Sequence, residues 1–269
     1  MHRLSAYLRK PILIACLAIA ANANADPVLW VDDSSGKLGK VDVSTGAVTL
    51  VGTMGAVMTD IAFDPSGHLY GITFGALYSI DAATAATTFI GNLGTSLNSL
   101  VFSSIGTLYG ANSSLYTINT ATGVASLVGN GGASYSSSGD LAFVGGNLFL
   151  TSTIPQGDSL IELNTATGAG SLVGSIGIGR VYGLATNDNV SLYGVAGTSV
   201  YAVSTATGAG TLLVNYGGHG LGTANGTAFF SEAVPPVPEP GTYALMLVGL
   251  GVLGYVGARK SQGQRASAA

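Results

Sequence analysis

The sequence predicts an all-β protein, a β-propeller of five four-stranded blades, with an apolar segment on either side of it. Three observations carry the prediction. A phrase of about 16 residues recurs five times with a period near 40, a second phrase recurs between its copies, and both consist of short runs alternating apolar and polar residues. Period-two alternation broken by Gly, Asn, Asp, Ser and Thr every eight to ten residues means short antiparallel strands.

The first phrase reads KLGKVDVSTGAVTLVG from Lys37, ALYSIDAATAATTFIG from Ala76, SLYTINTATGVASLVG from Ser114, SLIELNTATGAGSLVG from Ser159 and SVYAVSTATGAGTLLV from Ser199. Its turn falls at Thr45, Thr84, Thr122, Thr167 and Thr207, spaced by 39, 38, 45 and 40 residues. Glycine follows each threonine except Thr84, where Ala85 stands instead. These are hairpin turns in which glycine supplies a positive φ. The second phrase is DIAFDPSGHLYGI from Asp60, SLVFSSIGTLYGA from Ser99, DLAFVGGNLFLT from Asp140 and GLATNDNVSLYGV from Gly183.

Four strands per roughly 40 residues is the period of a propeller blade. In Leu115-Tyr116-Thr117-Ile118-Asn119 the apolar residues cannot share one face, so the strand is buried on both, as sheets stacked on neighbours require. Val28-Leu29-Trp30-Val31 resembles the second strand of a repeat, not the first. The missing first strand is expected between residues 220 and 230, which would pair the two ends of the repeat region and leave no open edge. Thr227-Ala228-Phe229-Phe230 itself has the look of a second strand, so an open β-solenoid or an irregular sandwich is the alternative. The recurring Trp-Asp and Gly-His marks of the WD repeat and a kelch pattern are absent; the two Gly-His pairs, at 67–68 and 218–219, do not follow the repeat. The repeats look like those of secreted bacterial propellers.

The first 25 residues have the form of an export signal: Arg3, Arg9 and Lys10, an apolar run over 11–21, then the small residues Ala23-Asn24-Ala25 before Asp26, the expected cleavage point. The run is too short to span a bilayer, which needs about 20 residues. Leu13-Ile14-Ala15-Cys16 has lipobox form, but too little apolar chain precedes Cys16 for a normal signal core. Loss of Cys16 with the signal would leave no cysteine for a disulfide, a thiol nucleophile or a thiolate metal site.

At the other end, residues 234–240 read VPPVPEP, a linker that cannot continue a sheet. Residues 241–258 carry no charge and would make a helix of about 27 Å, close to the roughly 30 Å hydrocarbon core. Arg259 and Lys260 end it, opening a basic tail over 259–269 that should remain cytoplasmic. An exported body, Val237-Pro238-Glu239-Pro240, an apolar helix and a basic terminus together resemble the PEP-CTERM sorting signal of Gram-negative bacteria. The resemblance implies an exosortase acting at or near the motif after signal peptidase, transient anchoring in the inner membrane, and association with extracellular polysaccharide or biofilm matrix. Glycine follows the motif where that signal often has serine or threonine, and the basic cluster is sparse.

Between the ends, residues 26–240 hold all 13 acidic residues and only Lys37, Lys40 and Arg180, a formal charge of −10. This excludes a phosphate-neutralising groove for nucleic acid and disfavours an anionic membrane surface. A neutral glycan or a cation remains compatible.

The inventory for catalysis is poor, and no enzyme activity and no cofactor are expected. His68 sits in Asp64-Pro65-Ser66-Gly67-His68, which Asp, Pro and Gly explain as a turn. His219 lies in Tyr216-Gly217-Gly218-His219-Gly220, a loop leading to the closing strand. No serine occupies a nucleophile elbow and no histidine pair has zinc spacing. Asp60 and Asp140 share one repeat position, which Ser99 and Gly183 break. With backbone carbonyls they could hold Ca2+, which takes six to eight oxygens. The plainer expectation is that each caps a turn. Asp32-Asp33 and Asn187-Asp188-Asn189 also read as turns. The alternative function is a hydrolase or lyase with a metal-assisted acidic site at the central channel. Tyr70, Tyr109 and Tyr193 recur in register, as do Tyr78, Tyr116 and Tyr201, and fit packing between blades or a sugar-stacking surface.

Overall fold

Twenty strands, grouped by fours into five antiparallel sheets, organise the computed structural model, which describes residues 27–232 without Ala133 and Gln156. Blade 1 contains β1 (Val28–Asp33), β2 (Lys37–Asp42) and β3 (Val48–Thr53). Blade 2 is β4 (Asp60–Phe63), β5 (Leu69–Ile72), β6 (Ala76–Ile80) and β7 (Thr87–Asn92). Blade 3 is β8 (Ser99–Phe102), β9 (Leu108–Ala111), β10 (Leu115–Ile118) and β11 (Ala125–Gly129). Blade 4 is β12 (Ser137–Val144), β13 (Asn147–Ser152), β14 (Ser159–Leu163) and β15 (Gly170–Ser175). Blade 5 is β16 (Val181–Ala185), β17 (Leu192–Ala196), β18 (Ser199–Val203) and β19 (Gly210–Asn215). The last strand, β20 (Ala224–Phe229), returns to pair antiparallel with β1, from Leu29 opposite Phe229 to Asp33 opposite Ala224.

That pairing completes blade 1 in the order β20-β1-β2-β3 and closes a five-bladed propeller, so the open solenoid and the sandwich are set aside. The closing strand comes from the expected segment, but Thr227-Ala228-Phe229 is a first strand and not a second. It stands where Ile61-Ala62-Phe63 stands in blade 2, and Val28-Leu29-Trp30-Val31 is the second strand beside it. The first strands touch one another in the cycle β4, β8, β12, β16, β20 and thus surround the axis.

Local chemistry explains the outer hairpins. Asp42 Oδ1 accepts the amides of Ser44 (2.8 Å) and Thr45 (2.9 Å), and Asp81, Asn119 and Asn164 do the same one repeat apart. Ser204 Oγ takes the Thr207 amide in the last copy. Each threonine then accepts the amide two residues on, from Ala47 to Ala209. The next residue is left-handed in all five turns, at φ 75°, 64°, 77°, 69° and 80°, and Ala85 adopts it without the freedom of glycine. Each outermost strand carries a bulge opposite the third strand. In blades 2 to 5 the turn lies against the bulged strand of the blade before it. A Cβ on Gly123, for example, would lie 2.6 Å from Gly91 O.

Five hydrophobic clusters hold the ring, one between each pair of neighbouring blades; the cluster with Leu29, Val31, Val195, Val200 and Phe229 joins blade 5 to blade 1. The register tyrosines belong to this packing. Tyr70 meets Phe102 at 5.3 Å, Tyr109 meets Phe143 at 5.8 Å, and Tyr193 meets Phe229 at 5.2 Å, each ring reaching the first strand of the next blade. Trp30 does the same with Phe63 at 5.3 Å. Such pairs add about 0.5–1.5 kcal/mol beyond area burial. Tyr78 packs instead across its own blade on Phe89 at 5.6 Å.

Among the described residues no helix is long and apolar enough to cross a membrane. The predicted signal with Ala23, Ala25 and Asp26, the linker with Val237, Pro238, Glu239 and Pro240, the predicted helix 241–258, and Arg259 and Lys260 all lie outside the described residues.

Candidate functional site

Gly226, Asp60, Ser99, Asp140 and Gly183 occupy equivalent places on the five first strands and face one axis. Asp60 opens β4, whereas Asp140 is the fourth residue of the longer β12. Both are fully buried. Neither caps a turn, as the plainer expectation held; each bonds a neighbouring blade. Asp60 Oδ2 accepts the amide of Leu100 at 2.6 Å, and Asp140 Oδ2 accepts that of Leu184, also at 2.6 Å. The remaining oxygens take the amides of Ile61 and Leu141. Asp140 Oδ2 also accepts the Thr227 hydroxyl at 3.1 Å and amide at 3.3 Å, and so ties three blades. Ser99 stays within its blade, exchanging hydrogen bonds with the backbone of Ala111.

A third acid joins them. Asp32 is fully buried, and its carboxylate faces the Gly226 amide and its own without a hydrogen bond of normal geometry. It pairs with Gly226 across β1 and β20, and the missing side chain there makes room. A Cβ on Gly226 would strike Asp60 Oδ1 and lie 2.8 Å from Asp32 Oδ1. The turn reading of Asp32-Asp33 therefore holds for Asp33 alone, which accepts from Ser35, Lys37 and Gly222. A signal for Asp32 was present in the repeats. Its column is Ile72, Ala111, Thr151 and Val195 in the other blades, each of them fully buried, so a carboxylate there must enter the interior.

Burial pushes all three carboxyls well above the usual carboxylate range. Mutual repulsion adds to it: Asp140 acts on Asp32 and Asp60, and Asp32 acts on Asp60. Asp60 and Asp140 act on each other, and two carboxyls sharing one buried site do not both ionise readily. Asp140, with the larger set of donors, is the better anion of the two.

Immediately before the axial positions stand Thr59, Asn98, Gly139, Tyr182 and Asn225, one from each blade. They ring an opening of about 500 Å³, within the usual range for small-ligand sites. Val57 and Phe74 form its apolar lip and are 50% and 61% exposed. Asn225 Nδ2 donates to Met58 O at 2.9 Å and Asn98 Nδ2 to Ser137 O at 3.1 Å, which fixes both amides across blade boundaries. Ser138, also on the wall, is hydrogen-bonded to Asp158.

The histidines lie elsewhere. His68 Nδ1 is 3.0 Å from Asp64 Oδ2 in an exposed turn that Asp64 caps through Ser66 and His68. His219 Nδ1 is 3.0 Å from Gly46 O. Because a carbonyl only accepts, Nδ1 carries the proton, and the contact clasps the last loop to the first turn. Asp188 caps a turn through Val190 and Ser191.

Comparison with known proteins separates the body from the sorting segment. Residues 236–261 match the PEP-CTERM protein-sorting motif. The chain carries that motif. A PEP-CTERM signal implies export, membrane-anchored sorting in Gram-negative bacteria and processing by an exosortase. No curated protein matches the chain. Among solved structures the body is similar to a chain from work on the de novo evolutionary emergence of a symmetrical protein. Identity is 20% and the TM-score 0.50, over 79% of this chain and 100% of that one. It is also similar to a chain of a nidogen/laminin complex, with 12% identity and a TM-score of 0.54 over 75% and 97%. A gluconolactonase from Xanthomonas campestris aligns with 16% identity and a TM-score of 0.48 over 75% and 80%. At such identities the likeness is one of fold.

Proposed function

We propose that this PEP-CTERM protein is displayed at the cell surface or in the extracellular matrix as a rigid ring that binds neutral polysaccharide at its channel mouth. The observation that carries the reading is the sorting motif at 236–261. The mouth supports the ligand class: Phe74 and Tyr182 offer ring faces to a pyranose, and Thr59, Thr73, Asn98 and Asn225 offer hydroxyls and amides. The acidic excess of residues 26–240 opposes an anionic partner. No catalysis is assigned, because Asp60 and Asp140 are committed to amides that join blades.

Intact mass of the protein recovered from its native host tests the sorting half. A chain starting at Asp26 and ending near Pro238 or Pro240 is expected; one running to Ala269 would overturn exosortase processing. Retention on the host's own polysaccharide tests the binding half, with Phe74→Ala expected to weaken it several-fold. The second reading, a metal-assisted hydrolase or lyase, draws on the convergence of Asp60 and Asp140 beneath the mouth. It would be favoured by polysaccharide cleavage that Asp140→Asn abolishes.

A further inference from the structure

We propose that the face of the ring opposite the channel mouth carries a repeated cleft for one neutral sugar unit, formed in at least blades 2 and 4. Two cavities of about 550 and 460 Å³ lie there, within the usual range for small-ligand sites. They occupy the same place in the repeat. Ser79, Asp81 and Thr88 line the first, and their equivalents by strand register, Glu162, Asn164 and Ser171, line the second. Each cleft opens between the turn after the first strand of its blade and the turn after the third. The mouth residues precede the first strands, so mouth and clefts lie at opposite ends of the strands.

Blade 1 shows why the space exists. Strand register sets Lys40 opposite Trp30, Ser79 opposite Tyr70 and Glu162 opposite Phe149. Lys40 reaches over the Trp30 ring, 4.4 Å from its centroid, and covers that ring with the chain's own side chain. Ser79 is too short to cover Tyr70 in the same way, and the half-buried Tyr70 ring is left as a wall of the blade 2 cleft. In blade 4 Phe149 is buried, and the Glu162 carboxylate faces the space instead. Among the described residues the side chains of Ser79, Thr88, Glu162 and Ser171 make no hydrogen bond within the protein, whereas Asp81 and Asn164 cap their turns.

Hydroxyls beside carboxylate and amide oxygens suit a polyol, whose O–H groups donate to the oxygens and accept from the hydroxyls. The Tyr70 ring adds a flat apolar wall for a pyranose. A carboxylate at each cleft and the acidic excess of residues 26–240 oppose an anionic sugar. The ligand class is the one proposed for the mouth, but the clefts share no residue with it, so the two readings stand or fall separately. Sites at both ends of the strands would let one ring join two polysaccharide chains.

The test uses the purified full chain in detergent and saturation-transfer NMR with the methyl glycosides of glucose, galactose, mannose and N-acetylglucosamine. All variants are made in a Phe74→Ala background, which weakens the mouth and keeps it from masking the clefts. The Phe74→Ala chain itself is expected to transfer saturation to at least one glycoside. Adding Ser79→Lys or Glu162→Lys, each copying the lysine of blade 1, should remove part of the transfer, and adding both should remove it. Should the combined variant not fold, Thr88→Lys with Ser171→Lys, on the exposed outer strands, fills the same two clefts. No transfer to any glycoside in the Phe74→Ala chain, or transfer that the paired lysines leave unchanged, would overturn the proposal. The mouth reading is scored apart from this, by the difference between wild type and Phe74→Ala.

Discussion

The rim of the ring and its axis are made from the same five repeats and obey opposite rules. At the rim, all five outer turns use one scheme: an Asp, Asn or Ser cap, a threonine, and a left-handed residue. At the axis the equivalent residues are Gly226, Asp60, Ser99, Asp140 and Gly183, and no regular order connects them. A rim turn has its own separate site, so one solution can be used five times. The axis is a single space shared by all blades, where five aspartates would be five buried like charges in contact. Titration follows the same division. Burial alone would raise Asp64 and Asp188, but the donors of their turns outweigh it and hold both below the usual range, while the axial acids are pushed up.

Substitutions sharpen this contrast. The largest effect is expected at the rim from Gly123→Ala, which combines a left-handed φ of 77° with a Cβ 2.6 Å from Gly91 O. Left-handed strain of about 1–2 kcal/mol and overpacking of about 1–3 kcal/mol predict a loss of about 3 kcal/mol in urea unfolding. Gly75→Ala, with nothing within 4 Å, is the control and should stay within about 0.5 kcal/mol. Equal costs for the two would show that the rim contact is not tight.

At the axis, Asp140→Ala leaves the Leu184 amide and both Thr227 donors without their acceptor. A loss of about 2 kcal/mol is expected, and clearly less for Asp140→Asn, which retains an acceptor oxygen. If the two variants unfold alike, the blade-joining role of Asp140 is wrong. Ala85→Gly should be close to neutral, within about 0.5 kcal/mol. Relief of the left-handed strain at φ 64° is offset by chain entropy and by loss of a fully buried methyl. A large change of either sign would mean that this turn differs from the other four.

The smallest effect concerns pH. A carboxyl held below its unfolded pKa contributes stability that is present above about pH 4 and lost as pH falls through the folded value. Asp188 is such a group. Asp188→Asn should therefore lower the neutral plateau slightly and flatten the acid side of the stability profile, the two proteins converging at low pH. A steeper acid side would contradict the assigned direction.

Blade number, turn chemistry, ring closure and inter-blade aromatic packing were legible in the sequence because each is written locally and repeated. The Asp-x-x-Thr-Gly spacing that forms a turn is contained in five residues, and Tyr70, Tyr109 and Tyr193 return at one register position. The sorting segment was legible for the same reason, four short features in order. The strand identity of Thr227-Ala228-Phe229 was ambiguous, since a short alternating run fits the first or the second strand until its partner is known.

What only the tertiary structure decided is everything at the axis. Asp32, Asp60 and Asp140 lie on two different strand types in three blades, and no spacing along the chain announces that they meet. The meeting depends on Gly226, a residue without a side chain, lying opposite Asp32 in a pairing that joins the two ends of the repeat region. Repetition along the chain determines the shape of each blade by itself. Closure into a ring is what brings unlike residues to one point, and there burial and mutual repulsion set their chemistry.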